Sequence, residues 1–155
     1  MKISDLIKYS QNGMSFEINA PDILQKVLSV ISQASMDILA TMKLSEEIAN
    51  PISKEYYKLL EKKMNEGVFL SRVVFGLEND LREFEKRCPH KVNRYKCIHA
   101  KTQNYQRMIL IDRKWLFFAI DDIMGERKFF FSENHICIKA FERYFNEEIL
   151  EVEKA

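Results

Sequence analysis

The six cysteines and histidines of this chain fall in pairs one residue apart: Cys88-Pro-His90, Cys97-Ile-His99 and His135-Ile-Cys137. Thiolate and imidazole are the usual zinc ligands, and Cys88, His90, Cys97 and His99 could together supply a tetrahedral shell. Most zinc sites place about two to four residues between paired ligands. Separate thiols and ordinary histidines are therefore the preferred reading, and no metal or other cofactor is assigned. His99 has a second possible use. In His99-Ala-Lys101 the imidazole could attack a phosphodiester while the lysine holds the non-bridging oxygens.

The same region is basic. From Lys86 to Ile111 there is no acidic residue, while Lys86, Arg87, Lys91, Arg94, Lys96, Lys101 and Arg107 all occur there, with Tyr95 and Tyr105 among them. Such a stretch could neutralise phosphates and stack on bases or sugars. The alternative is a solvated loop balanced by the acidic C-terminal end. The whole-chain net charge is only +1, which excludes a globally basic or globally acidic protein and leaves a local patch open.

The elements that must position these residues follow from periodicity and punctuation. Residues 1–13 read as a short helical extension ending at Asn12-Gly13, and 14–155 as one domain. Met14–Ala20 alternates like a half-buried strand, and Pro21-Asp22 opens a helix with an apolar face at Ile23, Val27, Val30 and Ile31. Asp37–Met42 is a short buried strand. Pro51 starts a second helix that Gly67 ends, Val68–Phe75 is a β-rich run, and Asn79 or Asp80 could cap a third helix. Arg72, alone in that apolar run, reads as an exposed edge charge or a partner for Asp37. Pro89–Gln106 shows no strong period. Met108–Ile111 and Trp115–Ile120 then read as two strands around a tight turn, with Asp112 capping it. Phe129–Phe131 is a short strand, and Ser132 could cap a final helix with Ala140, Phe141, Tyr144 and Phe145 on one side. The alternation predicts an α/β sheet with helices on it.

With 155 residues and nearly half of them apolar, the chain can bury its own core without disulfides. No apolar run is long enough to span a membrane, and the start has no secretory h-region. Three cysteines, an odd number, fit reduced thiols and a cytoplasmic location.

The helix–Gly67–Val68 entry into a strand, the Ile109-Leu110-Ile111-Asp112 strand followed by Lys114-Trp115-Leu116, and the aromatic Ala140–Phe145 helix resemble the phospholipase D-like superfamily. That family carries a His-x-Lys-x4-Asp signature before and along an apolar strand. The signature here is degenerate. With Asp112 as its aspartate, Tyr105 stands at the histidine position and Arg107 at the lysine position. With His99 and Lys101 as its first members, Gln106 takes the aspartate place. The first register sets the motif against the apolar strand. Ala119-Ile120-Asp121-Asp122 replaces the Gly-Ser-x-Asn step that usually follows.

The resemblance implies a mixed sheet flanked by helices, with one motif per chain and two chains meeting as a homodimer. It is similar to the sensor half of TrmB-type transcriptional regulators and to short single-motif endonucleases. Tyrosine is a poor substitute for an imidazole that must be attacked, protonated and recycled near neutral pH, whereas arginine can still hold a phosphate. The expectation is a non-catalytic regulatory domain binding nucleic acid or a phosphorylated small molecule through Tyr105, Arg107, Asp112, Lys101, Arg94 and Lys96. Tyr105 alternatively reads as a core aromatic. The alternative function is a metal-independent nuclease with His99 as nucleophile and Lys101 as phosphate holder. About 13 residues precede the first strand, too few for a helix-turn-helix. The chain is accordingly expected to work alone, to partner another chain, or to be a piece of a longer regulator.

Overall fold

A computed structural model describes residues 6–10, 13–88 and 93–154. The alternating segment near the start yields a short strand, β1 (Phe16–Ile18). Pro21 sits in a single 3-10 turn, Ala20–Asp22, that runs directly into α1 (Ile23–Ile31). Strand β2 spans Asp37–Lys43 and is followed at once by α2 (Leu44–Ala49), a short helix without a readable period in the sequence. Pro51 precedes rather than begins α3 (Lys54–Asn65). The Ser53 hydroxyl caps that helix by accepting from the Tyr56 amide at 3.4 Å. At its other end the Val68 and Gly67 amides return to the Lys63 and Met64 carbonyls, and Gly67 takes a φ of 109° that an L side chain rarely adopts.

Strand β3 (Phe69–Phe75) leads to α4 (Glu78–Arg87), which begins just before the residues expected to cap it. The basic segment then forms a strand the sequence did not announce, β4 (Tyr95–His99). The expected tight turn joins β5 (Met108–Ile111) to β6 (Trp115–Asp121), with Asp112 and Arg113 both at positive φ. Strand β7 (Arg127–Ser132) precedes α5 (His135–Lys154). Asn134, not Ser132, caps α5: its side-chain oxygen accepts from the Ile136 and Cys137 amides. Ser132 instead ends β7 and donates to the Met14 carbonyl.

All seven strands form one mixed sheet in the order β1-β7-β6-β5-β2-β3-β4. β2, β3 and β4 are parallel, and every other pairing is antiparallel. Helix α5 covers one face with Cys137, Phe141, Tyr144 and Phe145 against Val73, Leu110, Leu116 and Phe118. Helices α1 and α3 cover the other face through Ile31, Tyr56, Leu60 and Met64 over Ile38, Leu70 and Ile111. Among the described residues no helix is long and apolar enough to cross a membrane.

Candidate anion-binding cleft

β5 runs against the parallel pair β2–β3, so the start of β5 and the ends of β2 and β3 share one edge of the sheet. In open α/β sheets ligands collect at the carboxyl ends of parallel strands, where loops diverge. A cleft of about 440 Å³ lies there, lined among others by Thr41, Lys43, Glu46, Arg72, Arg107 and Arg127. Four cationic side chains face two carboxylates, Glu46 and Glu47, in its walls.

The backbone that carries Arg107 is clamped on both sides. The Tyr144 hydroxyl accepts from the Gln106 amide at 2.7 Å and donates to the Asn104 carbonyl. Thr41 Oγ1 donates to the Gln106 carbonyl and accepts from the Met108 amide at 3.0 Å. The buried Gln106 amide group donates to the Ala119 carbonyl at 2.8 Å. These bonds fix the backbone position from which the Arg107 side chain enters the cleft.

Arg107 points its guanidinium at Glu46 of α2, 2.5 Å away, and Arg127 reaches the same carboxylate at 2.9 Å. Arg127 also contacts Asp121, its cross-strand partner, at 3.0 Å. Partial burial pushes the Glu46 pKa up, but hydrogen bonds and charge from Arg127 and Arg107 outweigh it and hold the carboxyl below its ordinary value. Arg107 Nε is buried and has no hydrogen-bond partner among the described residues. Glu47 is occupied otherwise, accepting from the Ile52 amide at 3.1 Å and from the Tyr57 hydroxyl.

Arg72 overturns its sequence reading in both forms. It is neither an edge charge nor a partner for Asp37, which pairs with Arg113 at 2.9 Å. Because β4 adds outside β3, Arg72 lies in an interior strand and is only 1% exposed. Its guanidinium sits over the rings of Tyr57, Phe84 and Tyr95 at 5.7, 5.5 and 5.4 Å. Nη1 donates to the Tyr95 hydroxyl at 2.9 Å, while Nη2 is buried without a hydrogen-bond partner among the described residues. Burial opposes its charge, yet the surrounding tyrosines and Cys88 raise its pKa, so it stays cationic. A buried cation held by rings and hydroxyls keeps more of its charge available than one paired with a carboxylate.

The sequence-derived candidates separate into three places. Tyr105 and Arg107 are adjacent to the cleft, but Tyr105 packs edge-on to Phe75 with centroids 5.2 Å apart. Its hydroxyl is buried without a hydrogen bond of normal geometry. Burial pushes its pKa up to about 12, with Arg107 pulling the other way. Asp112 lies at the far end of β5, about 17 Å away at 3.3 Å per residue. Its carboxylate accepts from the Ser35, Met36 and Asp37 amides at 2.9, 2.8 and 3.2 Å. It ties the α1–β2 connection to the β5–β6 turn and takes no part in the cleft. Asp112 does not simply cap its own turn.

The remaining basic residues sit on the β4 side. Arg94 is exposed, reaches the Met64 carbonyl and lies over Phe69. Lys96 and Lys101 are exposed. His99 ends β4, three strands and about 14 Å from β5, with Nε2 bonded to the Gly76 carbonyl at 2.7 Å. These residues do not join Arg107. Of the four zinc candidates, His90 lies outside the described residues, as does Lys91. Cys88 Sγ sits 3.9 Å from the Arg72 guanidinium, a poor neighbour for a second cation. Among the described residues no three potential ligands converge. Glu46 and Arg127 were absent from the sequence reading. Only Arg127 left a signal there, opposite Asp121 across a hairpin.

No family model and no curated protein matches the chain. Solved structures match its fold. TrmBL2, an archaeal chromatin protein described with a novel mode of DNA binding, superposes with a TM-score of 0.65 at 15% identity over 92% of this chain. This chain spans only 56% of the TrmBL2 chain. NucT from Helicobacter pylori gives a TM-score of 0.57 at 14% identity, covering 88% of this chain and 94% of that one. Nuc from Salmonella typhimurium, a phospholipase D family member, gives 0.56 at 11% identity, covering 83% and 87%. The chain has the phospholipase D-like fold.

Proposed function

We propose that this chain is a non-catalytic phospholipase D-like domain whose arginine cleft binds an anionic group, foremost a phosphate, in a regulatory role tied to transcription. The observation that carries this reading is the pair Tyr105–Arg107. At the position the resemblance gives to a nucleophilic imidazole stands a half-buried tyrosine whose ring packs edge-on to Phe75 and whose hydroxyl is buried. At the position it gives to lysine, a clamped arginine faces the cleft. Nucleophilic attack needs an accessible, proton-exchanging group, whereas anion recognition needs only fixed donors. His99 is a weak substitute, because its Nε2 is engaged by the Gly76 carbonyl. The DNA-binding description of TrmBL2 supports a regulatory setting. The homodimer implied by the resemblance belongs to the proposal, and sedimentation equilibrium tests it.

Isothermal titration with inorganic phosphate and with a 5′-phosphorylated oligonucleotide tests the binding. Both the wild type and Arg107→Gln are measured, alongside hydrolysis of bis-p-nitrophenyl phosphate in EDTA. Expected are anion binding that Arg107→Gln removes, and no hydrolysis. Unchanged binding in the variant, or hydrolysis that disappears in His99→Ala, overturns the reading.

A further inference from the structure

The arginine cleft continues past Arg107. A second cavity of about 250 Å³ opens on the α1–α3 side of the sheet and shares Thr41, Ile52, Tyr56 and Arg107 with the first. Apart from Thr41, Tyr56 and Arg107, no side chain lining it carries a nitrogen or oxygen. Val27 and Leu24 of α1, Ile109 of β5 and the rings of Phe117 and Phe129 form its walls. One end of the joined space is therefore cationic, the other is hydrocarbon, and Arg107 stands at the boundary.

Each half restricts the occupant differently. Arg107 and Arg127 already hold an internal carboxylate, so an external anion exchanges with Glu46 rather than meeting an empty field. The buried Arg72 adds positive potential, and among the described residues no carboxylate is hydrogen-bonded to it. Beyond Thr41, Tyr56 and Arg107, the apolar half offers an extended polyanion no side-chain donor, and a phosphate placed deep in it would lose its hydration without compensation. It does offer a hydrocarbon group a place out of water.

Resting on the anion-binding reading above, we infer that the ligand is a small amphipathic anion. Its phosphate or carboxylate head lies on Arg107 and Arg127, and an apolar group of about six carbons enters the cavity beneath α1 with about half of its length out of water. Each methylene removed from water is worth a factor of about four in affinity, so burying half of a hexyl chain gives about 60-fold.

Isothermal titration of the full chain with inorganic phosphate, hexyl phosphate and hexanoate tests this. Hexyl phosphate should bind about 60-fold tighter than inorganic phosphate. Hexanoate should bind as well if the head is a carboxylate, and not if a phosphate is required. Val27→Phe fills the cavity from the half-buried face of α1. It should bring hexyl phosphate to within about threefold of inorganic phosphate while inorganic phosphate itself is unaffected. Leu24→Phe, from a neighbouring position, repeats the measurement should Val27→Phe fold poorly. If inorganic phosphate binds but neither hexyl probe gains over it, the amphipathic ligand is wrong and the anion site stands. A tail gain that survives both cavity-filling variants also overturns the inference. Absence of binding by all three probes removes both readings.

Discussion

Glu46 and Arg107, sixty-one residues apart in sequence, meet at 2.5 Å across the cleft, and Arg127 closes on the same carboxylate. In the proposed site the carboxylate occupies the place of the anionic ligand and would compete with one. Glu46→Gln should strengthen inorganic phosphate binding about tenfold, read by isothermal titration. The ion pair also has a pH signature. The Glu46 pKa in the fold lies below its ordinary 4.5, so its stabilisation is present above that value and is lost as pH falls through the lower folded value. The side chains are about one-third exposed, which limits the effect to about 1 kcal/mol. Acid titration of wild type against Glu46→Gln checks it: a difference that shrinks as pH falls below 4.5 is expected.

Tyr105 gives a second expectation. Its hydroxyl is buried without a normal hydrogen bond, and its ring packs on Phe75. Tyr105→Phe should leave stability within about 1 kcal/mol and phosphate affinity unchanged, because removing an unpaired buried hydroxyl costs little. The phenol pKa is raised from 10.0 to about 12, so its contribution to stability is complete below pH 10 and lost as pH rises through about 12. Alkaline unfolding followed by circular dichroism should therefore be shifted upward in Tyr105→Phe. A loss of phosphate binding in this variant would return Tyr105 to the ligand site.

The β5–β6 turn and the apolar faces of α1 and α5 were legible because each sits in a periodic run with a turn signal beside it. Strand β4 was not, since Tyr-Lys-Cys-Ile-His is an edge strand whose polar residues look like the loop before it. Arg107 was legible through the signature, but its partners were not. Glu46 lies on a six-residue helix with no period to read, and only the register of the sheet brings it opposite Arg107. The fate of Arg72 depends on β4 closing over it and on rings from α3 and α4, none of which its neighbours in sequence disclose.

The signature puts Asp112 with the ligand residues, and its contacts assign it to the frame instead. Asp112→Ala removes a buried acceptor shared by three backbone amides and the Ser35 hydroxyl, and with it the charge-assisted tie between the α1–β2 connection and the β5–β6 turn. The expected cost is about 3 kcal/mol by urea denaturation. Asp112→Asn should recover part of it, because asparagine tolerates the positive φ and keeps one oxygen acceptor. Phosphate affinity of either folded variant should match wild type. Affinity falling with stability unchanged would contradict the framing role.

Arg72 carries the most demanding expectation, because its structural and binding roles separate under different substitutions. It is buried among Tyr57, Phe84 and Tyr95 with no carboxylate among its hydrogen-bond partners. Replacing a buried charge by an apolar chain of similar length is often neutral, whereas truncation leaves a cavity. Arg72→Ala should destabilise by about 3 kcal/mol, and Arg72→Met should recover most of that loss. If the guanidinium only fills space, Arg72→Met binds inorganic phosphate like wild type. If it supplies the positive potential at the inner wall of the cleft, Arg72→Met folds normally yet binds phosphate about tenfold more weakly. That weakening should diminish at high ionic strength less than the weakening caused by replacing an exposed lysine such as Lys43, since a buried charge is screened little by salt. Titrations at low and high salt on the two variants distinguish these outcomes directly.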